Sequence, residues 1–137
     1  MIENSNNAQV AVDNQDNIIY FESLVNLLER LEIENEKIGY FFNHFGNIYC
    51  HLGLYQKAEP LYLKYLKISE KVLGEEHPST ATSYNNLAFF YYGQGDYNRA
   101  YNYMKRAVEV RSKVLPFNHS DLINSKVGLE ILKKLIH

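Results

Sequence analysis

The fold is decided by the stretch YFFNHFGNIYCHLGLYQKAEPLYLKYLKISEKVLGEEHPS, residues 40–79. At a shift of 42 residues, without any gap, its residues 42–79 match YNNLAFFYYGQGDYNRAYNYMKRAVEVRSKVLPFNHSD, residues 84–121. The identical pairs at this shift are Asn43 and Asn85, Tyr49 and Tyr91, Gly53 and Gly95, Tyr55 and Tyr97, Ala58 and Ala100, Lys71 and Lys113, Val72 and Val114, Leu73 and Leu115, and His77 and His119. A fixed period of this kind is typical of a solenoid of stacked units.

Each unit is predicted to be a helical hairpin, since apolar and small residues recur at helical spacing and a glycine separates two such stretches. We place repeat 1 at residues 36–74 and repeat 2 at residues 78–116. Small residues in the first helices predict close approach of the second helices. The predicted structural positions are Phe45, Gly46, Tyr49, Gly53, Tyr55 and Ala58 in repeat 1, and Leu87, Ala88, Tyr91, Gly95, Tyr97 and Ala100 in repeat 2.

The repeats are predicted to have a helix on each side. Residues 17–34 form a packing helix with an apolar face, and residues 120–136 form a capping helix; together with the repeats they make a domain over residues 17–137. Residues 1–16 are rich in Asn, Gln and Asp, which predicts a disordered lead. The apolar face of the first helix consists of Ile18, Phe21, Leu24, Val25, Leu28 and Leu31.

Smaller signals locate the helix ends. Pro60 is expected in the first turn of its helix, where a missing N–H costs least. Ser120 is a candidate N-cap for the last helix. His77 and His119 occupy equivalent turns of the repeat, which favours a turn or capping role for them.

The NNLA, QGDY, KVLG and HP segments resemble tetratricopeptide repeats, and more narrowly the 42-residue type of kinesin light chains. The resemblance covers residue 37 to about residue 136. It implies an all-α, right-handed superhelix of two full helical hairpins with a flanking helix at each end. Its concave face is lined mainly by the first helix of each repeat, and it usually receives an extended peptide or a partner helix.

The candidate binding residues follow from that geometry. Asn43, Asn47 and His51 lie at i, i+4 and i+8 on one side of the first helix. In the family, Asn at such inner positions commonly holds the amide of a peptide, and aromatic rings can anchor apolar side chains. The predicted concave-face residues are Asn43, Asn47, Cys50, His51, Asn85, Asn86, Phe89 and Tyr92. For each single residue, a solvated polar face is the alternative.

Charge and cysteine content limit the partners. A net charge of −2 and a pI near 6.2 give no attraction for nucleic acid or an anionic membrane. The single cysteine fits a reducing compartment, and the N-terminus lacks the features of a signal peptide. No stretch is apolar for long enough to span a bilayer. We therefore expect a cytoplasmic protein.

No catalytic, metal or cofactor site is predicted. His44 and His51 lie two helical turns apart, too far to share an ion without further ligands, and no zinc or phosphate-binding motif occurs. Cys50 has no evident base beside it. We expect a non-catalytic adaptor that binds a protein or peptide, although the groove has no Lys and Arg pair to hold a terminal carboxylate. The alternatives are a self-assembling, homo-oligomeric scaffold and a regulatory piece of a larger effector or signalling protein.

Overall fold

The computed structural model describes residues 17–136, and within them it contains six helices and no strand. This confirms the all-helical fold. The predicted lead over residues 1–16 lies outside the described residues. The described residues divide into two compact units, one that ends at Ile33 and one that begins at Glu34. The helices are α1 (17–30), α2 (Glu36–His51), α3 (Tyr55–Leu73), α4 (Pro78–Gly93), α5 (Tyr97–Val114) and α6 (Ser120–Ile136).

Helix α1 is shorter than the 17–34 segment predicted from the sequence. It ends at residue 30, and Glu32 adopts a left-handed backbone with φ 50°. A residue in that region cannot continue a right-handed helix, which explains the early end. The predicted apolar residues within α1 are half-buried, whereas Leu31 lies beyond the helix and is 56% exposed.

Helices α2 and α3 form the first hairpin. Asn35 caps α2, because its side-chain oxygen accepts a hydrogen bond from the Ile38 amide at 3.0 Å. Gly53 then turns the chain with φ 74°. The two helices touch at Gly46, where an added Cβ would lie 3.0 Å from the Tyr62 ring. A small residue is therefore required at this position.

Helices α4 and α5 form the second hairpin, and α6 packs against α5. Histidines cap two of the helices. The Nδ1 atom of His77 accepts from the Ser79 amide at 3.0 Å, and that of His119 accepts from the Asp121 amide at 3.1 Å. The predicted capping role of these histidines is confirmed. The prediction for Ser120 is wrong, because Ser120 is the first residue of α6 and the imidazole before it takes the capping bond.

Pro60 lies early in its helix, but beyond the first turn where it was predicted. Helix α3 begins at Tyr55, so Pro60 is beyond the first turn and removes one bond from the helix interior. The helix nevertheless continues to Leu73. Leu61 and Tyr62, which follow the proline, are each 5% exposed, and their packing compensates for the missing bond.

The second unit has two layers. Helices α2, α4 and α6, the first helices of successive units, are joined by side-chain hydrogen bonds, and α3 and α5 lie behind them. The core between the layers contains most of the predicted structural positions. Those that are buried are Phe45, Gly46, Tyr49, Ala58, Leu87, Ala88, Tyr91 and Ala100. Tyr55 and Tyr97 begin α3 and α5 and are 43% and 36% exposed.

Candidate interaction groove

The candidate groove follows the seams between the first helices. At the seam of α2 and α4, the side-chain amide of Asn86 donates to the Asn43 oxygen at 3.0 Å, and both residues are half-buried. Tyr40 and Ser79 meet across the same seam, with their hydroxyl oxygens 3.3 Å apart. The structure thus brings two predicted binding residues together, and each occupies part of the other's hydrogen-bonding capacity.

Asn47 and Cys50 surround the hydroxyl of Tyr62, a residue of α3. The Tyr62 hydroxyl donates to the Asn47 oxygen at 2.6 Å, while Asn47 itself stays exposed. Burial raises the pKa of Tyr62, and the neighbouring half-buried Cys50 raises that pKa further. This hydroxyl therefore remains a neutral donor at physiological pH, and it fixes the side chain of Asn47. His51 is exposed and is the last residue of α2.

Asn85 lies in a polar junction of three helices. Its side-chain oxygen accepts from Arg111 at 3.3 Å and from the Ser125 hydroxyl at 3.1 Å. Arg111 also donates to the Asp121 carbonyl at 3.2 Å and to the Ser125 hydroxyl. Arg111 is 6% exposed, and burial lowers its pKa. Asn85 consequently helps to hold α6 against α4 and α5, and a binding role for it stays a prediction.

Phe89 and Tyr92 border the most apolar opening of the groove. They are 59% and 47% exposed although both are large rings. Between α4 and α6 they open into a cavity of about 160 Å³. The cavity is lined by Ala88, Phe89, Tyr92, Met104, Gly128, Ile131 and Leu132. None of these side chains is charged, so the cavity suits an apolar side chain.

Sequence reasoning missed two parts of this site. The first is Arg111, whose equivalent in repeat 1 is Ser69; that mismatch in an otherwise regular alignment was the available signal. The second is the α6 wall of the cavity, where an added Cβ on Gly128 would lie 3.0 Å from the Met104 methyl group. The α6 residue 42 positions after Ala88 is Glu130, whose type gives no indication of this contact.

Within residues 17–136, no group of three or more His, Cys, Asp or Glu side chains is placed to bind an ion. Among the same residues, no helix combines the length and the apolar character that crossing a bilayer requires.

These features define a class of protein: an α-α solenoid of helical hairpins whose first helices line one face. A family model described as "Tetratricopeptide repeat" matches residues 40–113. The chain therefore belongs to the tetratricopeptide repeat family. Proteins of this family are interaction modules that bind other proteins, and they are generally non-catalytic scaffolds.

Relatives carry this module within much longer chains. Human "Tetratricopeptide repeat protein 19, mitochondrial" is 38% identical over 66 residues, which are 48% of this chain and 17% of that protein. The "Clustered mitochondria protein homolog" of Kluyveromyces lactis is 30% identical over 104 residues, covering 66% of this chain and 8% of that protein. The chain thus spans less than a fifth of the length of these relatives.

Solved structures share the fold. BtubC (BKLC) from P. vanneervenii superimposes with a TM-score of 0.76 at 24% identity, covering 85% of this chain and 47% of that one. A Podosopora anserina structure of nearly identical TPR-like repeats of kinesin-light-chain type gives 0.73 at 24% identity, covering 86% and 56%. This likeness concerns the fold alone, and it agrees with the kinesin-light-chain type of repeat predicted from the sequence.

Proposed function

We propose that this protein is a non-catalytic adaptor that binds a peptide or helix of a partner protein along the α2–α4–α6 face. The observation that carries the proposal is the apolar cavity beside Phe89 and Tyr92. Large rings that stay half exposed beside a preformed apolar cavity are typical of interface anchors. The partner segment would place one large apolar side chain in this cavity.

The α2 side of the face is polar, so the end of the partner segment that lies there should also be polar. Asn47 is exposed and oriented by Tyr62, and His51 is exposed at the end of the same helix. Amide and imidazole groups can bond a peptide backbone or polar side chains without demanding a charge. We therefore expect a segment of mixed character, apolar toward α6 and polar toward α2.

The test is a peptide-display selection followed by affinity measurements on the selected peptide. Phe89→Ala removes the ring that borders the cavity, and the loss should resemble that of an interface hot spot, about 2 kcal/mol or about 30-fold in Kd. Phe117→Ala is the matched control, since Phe117 is 85% exposed in the loop before α6. An unchanged Kd for Phe89→Ala, or equal losses for both variants, would contradict the proposal.

We further propose a cytosolic location and no affinity for nucleic acid. The single cysteine supports the location, and the net charge of −2 supports the lack of affinity for nucleic acid. The mitochondrial terms in the names of two relatives concern those proteins. Imaging of a C-terminal fluorescent fusion beside a mitochondrial marker tests the location, and coincidence of the two signals would overturn it.

A further inference from the structure

Helix α6 has an uncovered apolar surface. Ile123, Val127, Ile131 and Leu135 recur every four residues, and they are 46%, 54%, 49% and 45% exposed. Ile131 also lines the cavity beside Phe89, so self-association along this surface would compete with the proposed peptide for that residue. Residues at this spacing lie along one side of a helix. We call these four residues the α6 stripe. The opposite side of α6 carries its buried residues, Leu122, Ser125 and Leu132.

The composition of α6 argues against a further helix that packs on it as the second helix of a hairpin would. In α4, the residues that face α5 include Tyr84, Ala88 and Tyr91, which are buried. The residues 42 positions later are Lys126, Glu130 and Lys133, all exposed. A helix packed there as α5 packs on α4 would bury three charged groups, which is strongly unfavourable. Any partner that packs on α6 must therefore contact the stripe and leave these charged side chains in water.

We propose that the stripe pairs with the same stripe of a second copy, with the two α6 helices antiparallel. Under a two-fold axis, Val127 then faces Ile131 of the partner subunit, and Ile123 faces Leu135 of the partner subunit. A two-fold interface of this kind is the commonest form of self-association. The arrangement places apolar side chains against apolar side chains along the whole stripe.

Charge favours the antiparallel direction. Lys126 and Glu130 lie one turn apart on the same flank of the stripe. In an antiparallel pair, Lys126 approaches Glu130 of the partner subunit, and the symmetry repeats this contact. Glu130 already contacts Lys133 of its own helix at 3.4 Å, and both remain exposed. Such exposed pairs contribute little affinity each, so they set the direction and the apolar stripe supplies the attraction.

The size of the contact indicates a reversible dimer. A helix of 17 residues is about 25 Å long, and one pair of such helices buries less than the roughly 1,200 Å² of a stable interface. Association should therefore depend on concentration in the micromolar range or above. Sedimentation equilibrium should show an average mass that rises from 16.0 kDa toward twice that value as concentration increases.

The first variant is Val127→Glu, which introduces a carboxylate in the middle of the stripe. Val72→Glu is the matched control, since Val72 is exposed on α3 at 44%. We expect Val127→Glu to weaken association at least tenfold and Val72→Glu to behave as the original chain. Both positions are exposed, so circular dichroism should show unchanged folding of either variant. A chain that stays monomeric at the highest concentrations would overturn the proposal.

The second test concerns direction. Lys126→Glu alone and Glu130→Lys alone place like charges across the axis, and each should associate more weakly. Mixed in equal amounts, they should form a heterodimer through two opposite-charge contacts. If the mixture associates no better than its components, the antiparallel α6 pair is wrong. The proposal would also be overturned if Val127→Glu left association intact while Leu27→Glu on α1 abolished it.

Discussion

The two repeats have the same framework of contacts but differ in the residues of the groove. In repeat 1, cationic side chains lie over the rings of α2; in repeat 2, the corresponding side chains lie over the rings of α4. The pairs in repeat 1 are Lys57 with Tyr49 and Lys64 with Phe42, and the corresponding pairs in repeat 2 are Arg99 with Tyr91 and Arg106 with Tyr84. The framework is thus conserved to the level of single side-chain contacts, since each pair recurs after 42 residues.

Some of the differences between the repeats lie in the groove and at the α6 junction. Asn47 is replaced by Phe89, and Cys50 by Tyr92, so the groove changes from polar to aromatic between the repeats. Ser69 is replaced by Arg111, which holds α6 in place. The comparison teaches that the cation–ring contacts within each hairpin recur, while the exposed sides of the first helices differ in chemical character.

The largest effect is expected at the close approach inside repeat 1. Gly46→Leu should lower the free energy of unfolding by about 3 kcal/mol, the upper end of overpacking costs, because any side chain meets Tyr62. Ala88→Leu, its equivalent in repeat 2, should cost only about 1 kcal/mol, because Ala88 borders the cavity and the added atoms can enter it. Urea denaturation measures both. Equal losses would show that the cavity does not distinguish the repeats.

Arg111→Ala should have the next largest effect. It removes the donor shared by Asn85, Ser125 and the Asp121 carbonyl, and hydrogen bonds to charged groups contribute about 1.5–3 kcal/mol. Hydrogen exchange should also quicken throughout α6. Ser69→Ala, the same position in repeat 1, should cost under about 1 kcal/mol. Unchanged exchange in α6 after Arg111→Ala would contradict the role assigned to this residue.

A smaller difference is expected between Arg106 and Lys64. Arg106 lies over the Tyr84 ring at 5.2 Å and also contacts the Tyr84 hydroxyl at 3.2 Å and Glu75 at 3.5 Å. Its replacement by Ala should cost about 1 kcal/mol, against about 0.5 kcal/mol for Lys64→Ala. Thermal unfolding compares the two variants. The reverse order would mean that the ring contacts of repeat 1 are the stronger ones.

The smallest effect concerns two equivalent ion pairs. Lys113 bonds Glu76 at 2.6 Å, and Lys71 bonds Glu34; each contact lowers the pKa of the carboxyl group. A lowered carboxyl pKa stabilises the folded state above the ordinary value near 4.5, and this stabilisation is lost as pH falls through the folded pKa. NMR titration of Lys113→Ala should return the Glu76 pKa toward its ordinary value. If the Glu76 pKa were unchanged by the substitution, the ion pair with Lys113 would not be the cause of its lowering.

Periodicity predicted the hairpins and their turns because packing makes each repeat depend on the same few positions. It also identified the imidazole caps. The end of α1 was not predicted, since Glu32 adopts a positive φ without being glycine; its counterpart 42 residues later is Gly74, with φ 92°. The sequence shows that Arg111 departs from its repeat 1 equivalent, Ser69. It does not show which groups accept hydrogen bonds from Arg111, since these come from α4 and α6. The cavity likewise depends on Gly128, which lies off the repeat pattern.

The central claim is that the faces of the first helices receive the partner segment, with the aromatic half near α6 as its anchor. An amide NMR titration with a selected peptide tests it most directly. We predict shifts along α2, α4 and the adjoining side of α6, largest around Phe89, Tyr92 and Ile131. Shifts confined to the outer surfaces of α3 and α5, with those three residues unmoved, would contradict the account.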